Sequence, residues 1–106
     1  MKTDKHIIYD VEVYPNVFTL TALNVRNEQV HVFEVSERKN DYYRLRVFME
    51  DMRRSNAEMI GFNNIGYDYP VLHSLCRFSQ IHPDAASVTK AAFNKSQEII
   101  KGVQRF

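Results

Sequence analysis

The chain has 106 residues, which is enough for one domain with a hydrophobic core and for no more than one. Its hydrophobic content of 44% and charged content of 25% are ordinary for a soluble globular protein. A formal net charge of +1 gives no bulk basic field for binding nucleic acid, so we expect any such binding to be local and assisted by a metal ion. The single cysteine excludes an internal disulfide, and no apolar run approaches the roughly 20 residues of a membrane span. We therefore expect a cytoplasmic protein without a membrane partner.

The first predicted element is a strand over residues 6–14, with the sequence HIIYDVEVY. Alternate residues of a strand point to opposite faces, so Asp10 and Glu12 share one face while Tyr9 and Val11 share the other. Positions i and i+2 lie about 6.5–7 Å apart at Cα, so both carboxylates can reach one small site. Burying two like charges together costs free energy, which a divalent cation between them would offset. Two solvated acids on an edge strand, or a chance Asp-x-Glu, would show the same local pattern.

Two more strands are predicted over residues 17–25 and 29–35, each after a short turn. Three strands joined by short connections form an antiparallel meander. Apolar residues then recur at helical spacing, which predicts an amphipathic helix. This helix ends near residues 55–56. Its apolar stripe consists of Tyr42, Leu45, Phe48, Met49 and Met52. Either Asn40 or Asp41 can cap this helix.

The second half of the chain predicts a fourth strand and two further helices. Residues 59–62 form a short apolar run that is typical of a buried parallel strand. Residues 63–66 predict a loop, and Asp68 can cap a helix over about 69–77, where Pro70 is tolerated in the first turn. A helical pattern resumes at Asp84. A meander, a helix and then a strand parallel to the first strand are the opening of a ribonuclease H-like fold, so we expect an α/β fold of this class.

The segment GFNNIGYDYPVL, residues 61–72, follows directly on the fourth predicted strand. Ligands in parallel α/β sheets gather at the carboxyl ends of the strands. If the fourth strand lies beside the first, this segment should bring Asp68 over Asp10 and Glu12. The alternative is a capped loop without chemistry, in which Asp68 is an N-cap and Tyr67 packs inward.

Together the two segments resemble the proofreading 3′–5′ exonuclease domains of DNA polymerases, including phage-encoded ones. These domains belong to the DEDD type of the ribonuclease H-like superfamily, which uses four acidic residues. The first family motif is Asp-x-Glu on the first strand, and the second is an asparagine followed by an aromatic residue and an aspartate. In this chain they are Asp10-Val11-Glu12 and Asn63 or Asn64 with Tyr67-Asp68. The resemblance covers roughly residues 6–77.

The third family motif, a Tyr or His with an Asp four residues later on a C-terminal helix, has no match in the chain. Residues 1–106 are therefore expected to form a single, incomplete exonuclease domain that lacks its C-terminal part. Because the third acidic motif is absent, this chain alone is expected to be weakly active or inactive, while the parent protein is a nuclease.

The resemblance implies hydrolysis of phosphodiester bonds at DNA 3′ ends by two Mg²⁺ or Mn²⁺ ions about 3.5–4 Å apart. These ions prefer oxygen ligands. The acids implied for catalysis and metal binding are Asp10, Glu12 and Asp68, and the residues implied for substrate binding are Asn63, Asn64 and Tyr67. Asp10 would bridge both ions, Glu12 would bind the ion that holds the attacking water, and Asp68 would bind the other ion.

The implied partners are a DNA 3′ end or single strand and a polymerase domain in the same longer chain, in the cytoplasm of a bacterial or phage-infected cell. The residues leave open whether DNA or RNA is cut. The alternative from another class is a catalytically silent ribonuclease H-like module that binds single-stranded DNA or a replication protein. A basic patch on the first helix would serve it, although acidic residues interrupt the patch. Its members are Arg44, Arg46, Arg53 and Arg54.

Overall fold

The computed structural model describes residues 5–61, 64–76 and 82–104. Within these ranges four strands form one sheet, and helices lie against it. The strands are β1 (His6–Tyr14), β2 (Val17–Asn24), β3 (Val30–Ser36) and β4 (Glu58–Gly61). The helices are α1 (Tyr42–Arg54), α2 (Tyr69–Leu75) and α3 (Ala85–Gln104), and a π-helical turn, Asn64–Asp68, leads directly into α2.

The sheet has the strand order β3-β2-β1-β4. Neighbouring strands of the β1–β2–β3 meander are antiparallel, while β4 is parallel to β1 with Met59 opposite Ile7. The predicted meander and the predicted parallel pairing are therefore confirmed, but β4 is an edge strand with Ile60 42% exposed, not the buried strand that its apolar run predicted. The result is a mixed α/β architecture in which β1 lies between an antiparallel and a parallel neighbour.

The core lies on one face of the sheet because the strands alternate apolar and polar residues. On β1 the side chains of Ile7, Tyr9 and Val11 are buried, while those of Ile8, Asp10 and Glu12 are exposed. The other strands and all three helices add to the same core cluster. Its further members include Phe18, Leu20, Phe33, Val35, Tyr42, Leu45, Val71, Leu75, Val88 and Ala92. Full burial of one such side chain stabilises the fold by about 1.5–3 kcal/mol.

The segment between β3 and α1 is held by charged hydrogen bonds. The carboxylate of Glu34 accepts hydrogen bonds from the Arg38 guanidinium at 2.8 Å and from Ser36 Oγ at 2.6 Å. The hydrogen bonds from Arg38, then that from Ser36, lower the pKa of Glu34 to about 2. Asp41 Oδ2 in turn accepts the Glu34 backbone N–H at 3.0 Å, which ties the start of α1 to β3.

The hydrogen bond between Asp41 and the Glu34 backbone shows which of the two predicted residues caps α1. The Asp41 side chain makes no cap hydrogen bond to the helix, because its carboxylate is directed at β3. Instead Asn40 Oδ1 accepts the Tyr42 backbone N–H at 3.1 Å. Of the two predicted caps, Asn40 therefore provides the hydrogen bond at the start of α1.

The predicted loop and cap before α2 need correction. Residues 64–66 belong to the π-helical turn, and residue 63 lies outside the described part of the chain. Asp68 has helical backbone angles (φ −60°, ψ −48°) and makes no side-chain cap hydrogen bond, since it lies inside a continuous helical segment. Pro70 lies in the first turn of α2, as predicted.

The long last helix begins at Ala85, one residue after the predicted start, and it buries Val88 and Ala92. Across the described residues, no helix combines the length and apolar character needed to cross a membrane.

Candidate functional site

Asp10 and Glu12 lie side by side on the outward face of β1, and both are exposed. On one side they pair with Thr21 and Thr19 of β2. On the other side the pairing of β1 with β4 ends at Tyr9, opposite Gly61. The two carboxylates therefore lie just beyond the carboxyl end of β4, as expected for a ligand site in a parallel pair of strands.

Asp10 and Glu12 are exposed, so they do not need a cation to offset the cost of burying two like charges. Water already solvates both carboxylates. What remains is their placement: two oxygen ligands within reach of one ion, on an open surface that a phosphate can approach.

Asp68 lies in a different environment from Asp10 and Glu12. Its residue is buried, with 3% of its surface exposed. Burial raises the pKa of Tyr9 to about 12, and the nearby negative charge of Asp68 contributes to this shift. Tyr9 lies in the core and Asp68 is buried, whereas Asp10 and Glu12 are exposed on the other face of β1.

The structure therefore brings two of the three predicted acids together. Among the residues that it describes, no group of three or more His, Cys, Asp or Glu side chains could hold a metal ion. Asp68 directly precedes α2, whose apolar residues pack into the core, and Asp68 itself is buried there. These apolar residues are Val71, Leu72 and Leu75.

Of the residues predicted to bind substrate, Tyr67 is the one whose side chain the structure describes, and its contacts lie in the core and on α3. Tyr67 packs against the core, and its hydroxyl lies 2.7 Å from Ser96 Oγ on α3, so it points inward as the capped-loop alternative predicted. Asn63 lies outside the described residues, and Asn64 is described only as part of the π-helical turn.

Most of the predicted basic patch on α1 is engaged in local ion pairs. Arg53 and Arg54 both pair with Glu50, because residues three and four apart are neighbours on a helix. Arg44 pairs with Asp41 at 3.1 Å. Arg46 Nη1 donates a hydrogen bond to the hydroxyl of Tyr42 at 2.8 Å. The patch is therefore not a continuous basic surface.

The sequence reasoning missed a groove between α1 and α2, which we call the α1–α2 groove. It has a volume of about 250 Å³, and Arg46, Arg53, Tyr69 and His73 are among its lining residues. The signal available in the sequence was the spacing of Tyr69 and His73, which places both rings on one face of α2. What the sequence did not indicate was that this face borders α1.

Comparison with known proteins finds no matching family model, no matching curated protein and no matching solved structure. The function must therefore be inferred from the placement of the chain's own residues.

Proposed function

We propose that the chain is a metal-dependent 3′–5′ exonuclease domain of ribonuclease H-like fold that hydrolyses phosphodiester bonds at DNA 3′ ends, as the proofreading part of a DNA polymerase. One observation carries the proposal: Asp10 and Glu12 are neighbours on the open face of β1, just past the carboxyl end of its parallel neighbour β4. The order β3-β2-β1-β4, with a meander and one parallel strand, is compatible with this fold.

The two carboxylates supply the oxygen ligands that Mg²⁺ and Mn²⁺ prefer. Asp10 and Glu12 would hold such a cation between them, and the cation would supply positive charge against an approaching phosphate and a bound water of lowered pKa for hydrolysis of the phosphodiester bond. Asp10 and Glu12 would both hold the metal, and Asp10 is the one nearer the end of β4 along β1.

A second cation requires a further carboxylate. Asp68 is buried, whereas Asp10 and Glu12 are exposed, so Asp68 would supply it only after a rearrangement of the π-helical turn.

The proposal is tested by a nuclease assay with the chain in excess over a 5′-labelled single-stranded oligonucleotide in Mn²⁺. We expect slow shortening from a free 3′ end, no shortening when the terminal nucleotide is inverted, and no shortening with EDTA. Asp10→Ala should abolish the activity. Asp51→Ala is the matched control, since Asp51 is an exposed acid on α1 away from β1, and it should retain the activity. Shortening that persists unchanged in Asp10→Ala or in EDTA would overturn the proposal.

A further inference from the structure

We propose that the α1–α2 groove binds single-stranded nucleic acid, with a base stacked on Tyr69 and phosphates against Arg46 and Arg53. This site is separate from the Asp10–Glu12 pair, which lies on the opposite, uncovered face of the sheet. It uses no metal ion, so its test does not depend on the proposed nuclease activity.

The groove provides a flat aromatic platform. The rings of Tyr69 and His73 stack with their centroids 5.6 Å apart and an interplanar angle of 19°. Tyr69 is 53% exposed, so its ring is open to a ligand. Buried residues of α2 hold this helix against the core, and the helix carries both rings. Aromatic rings bind bases by stacking regardless of sequence, because every base has a π-face.

The opposite wall of the groove carries positive charge on α1. Arg46 and Arg53 are seven residues apart, which is two turns, so they share one face of the helix about 10 Å apart along its axis. They can therefore contact different phosphates of one strand. Arg46 is held in place by its hydrogen bond to the Tyr42 hydroxyl, which itself donates to the backbone carbonyl of Leu75 in α2. The guanidinium is thus fixed where α1 meets α2.

Glu50 limits the positive charge of this wall. Its carboxylate pairs with both Arg53 and Arg54, and the hydrogen bonds from Arg53 are the main reason that the pKa of Glu50 is lowered. Binding through the groove should therefore be weak and sensitive to salt. It should also tighten when the Glu50 charge is removed, which distinguishes the groove from a site that merely loses affinity on mutation.

Single-stranded nucleic acid fits this groove better than an acidic peptide does. An acidic peptide would use the arginines but has no planar group for the Tyr69–His73 platform. A volume of about 250 Å³ lies below the roughly 300–1,000 Å³ of pockets for drug-sized ligands, so it suits a single base rather than a folded partner. The combination of a ring platform and spaced arginines is typical of single-strand binding.

The test measures fluorescence anisotropy of a labelled oligo(dT) 12-mer titrated with the chain in EDTA at low salt. We expect saturable binding by the wild type, Kd values about tenfold weaker for Tyr69→Ala and several-fold weaker for Arg53→Gln, and tighter binding by Glu50→Gln. The titration is made in EDTA, without the metal ions of the proposed nuclease, so failure of the nuclease proposal would leave this result unchanged.

The matched control is Tyr43→Ala. Tyr43 lies on α1, is 48% exposed and also stacks on a histidine, His82, at 4.7 Å and 25°, but it does not line the groove. It should bind oligo(dT) like the wild type, and circular dichroism melts of each variant confirm that it is folded. The proposal is overturned if the wild type does not bind, if Tyr43→Ala weakens binding as much as Tyr69→Ala, or if polyglutamate competes as well as unlabelled oligo(dT).

Discussion

Tyr9 and Asp10 are neighbours in the chain with opposite surroundings, since the Tyr9 ring is 1% exposed in the core and the Asp10 carboxylate faces solvent. Burial first, and then the charge of Asp68, raise the pKa of Tyr9 from 10.0 to about 12. The folded-state pKa of Tyr9 is above its unfolded value. The stabilisation of the folded state by the neutral, buried Tyr9 hydroxyl is therefore fully present below pH 10. It is lost as the pH rises from about 10 to about 12.

At the residue scale we predict that Asp68→Asn lowers the pKa of Tyr9, because it removes a negative charge beside the phenol. Asp10→Asn is the control and should leave this pKa unchanged, because its side chain lies on the other face of β1. The measurement is a pH titration of ring-labelled tyrosine by NMR, with the Tyr9 signal assigned from Tyr9→Phe. An equal shift in both variants would mean that Asp68 and Asp10 share one side of the sheet.

At the scale of elements, Tyr42 joins α1 to α2. Its hydroxyl donates a hydrogen bond to the carbonyl of Leu75, the last residue of α2, and accepts one from Arg46. The last carbonyls of a helix have no partner within it, so this hydroxyl satisfies one of them from outside. The bond is buried, which makes its loss costly.

We predict that Tyr42→Phe lowers the free energy of unfolding by about 1–3 kcal/mol, since it leaves a buried carbonyl without this donor. Tyr43→Phe makes the same chemical change at the next residue, where the side chain is exposed, and should change stability by no more than about 0.5 kcal/mol. Urea unfolding at pH 7 measures both. Equal effects in the two variants would show that the link between α1 and α2 does not contribute to stability.

The sequence predicted most of these elements because their signals are local. Alternation of apolar and polar residues gave β1 over residues 6–14, which agrees with the structure, and helical spacing gave α1. The π-helical turn was missed because Asp68 followed by Pro70 is typical of a helix start. Helical angles at Asp68 itself depend on how the preceding turn packs, which no local pattern records.

At the scale of the whole molecule, the described helices cover one face of the sheet and leave the other open. Exposed apolar residues mark the open face: Ile8, Val32 and Ile60. Val32 is 53% exposed, whereas Val35 on the same strand is fully buried on the core face. The same substitution at these two positions therefore compares the two faces directly.

We predict that Val32→Thr changes the free energy of unfolding by no more than about 0.5 kcal/mol, because solvent can accept the new hydroxyl. Val35→Thr should cost about 1–3 kcal/mol, because it buries a hydroxyl in an apolar core. Chemical denaturation of both variants, with circular dichroism as the probe, gives the two values. A cost at Val32 as large as that at Val35 would contradict a one-sided core.

Because the helices cover only one face of the sheet, the sequence could predict part of the candidate site and not all of it. A period of two residues places Asp10 and Glu12 together on any strand, so their pairing followed from the sequence alone. The position of Asp68 depends on which face α2 covers. β1 carries isoleucines on both faces, Ile7 and Ile8, so its sequence does not indicate which face that is.

The central claim is that Asp10 and Glu12 hold a divalent cation, and calorimetric titration of the chain with Mn²⁺ tests it most directly. We expect binding of one ion per chain, lost in Asp10→Ala and retained in Asp51→Ala. Asp68→Asn should still bind this ion, because Asp68 is buried whereas Asp10 and Glu12 are exposed. No binding by the wild type, or binding that persists unchanged in Asp10→Ala, would contradict it.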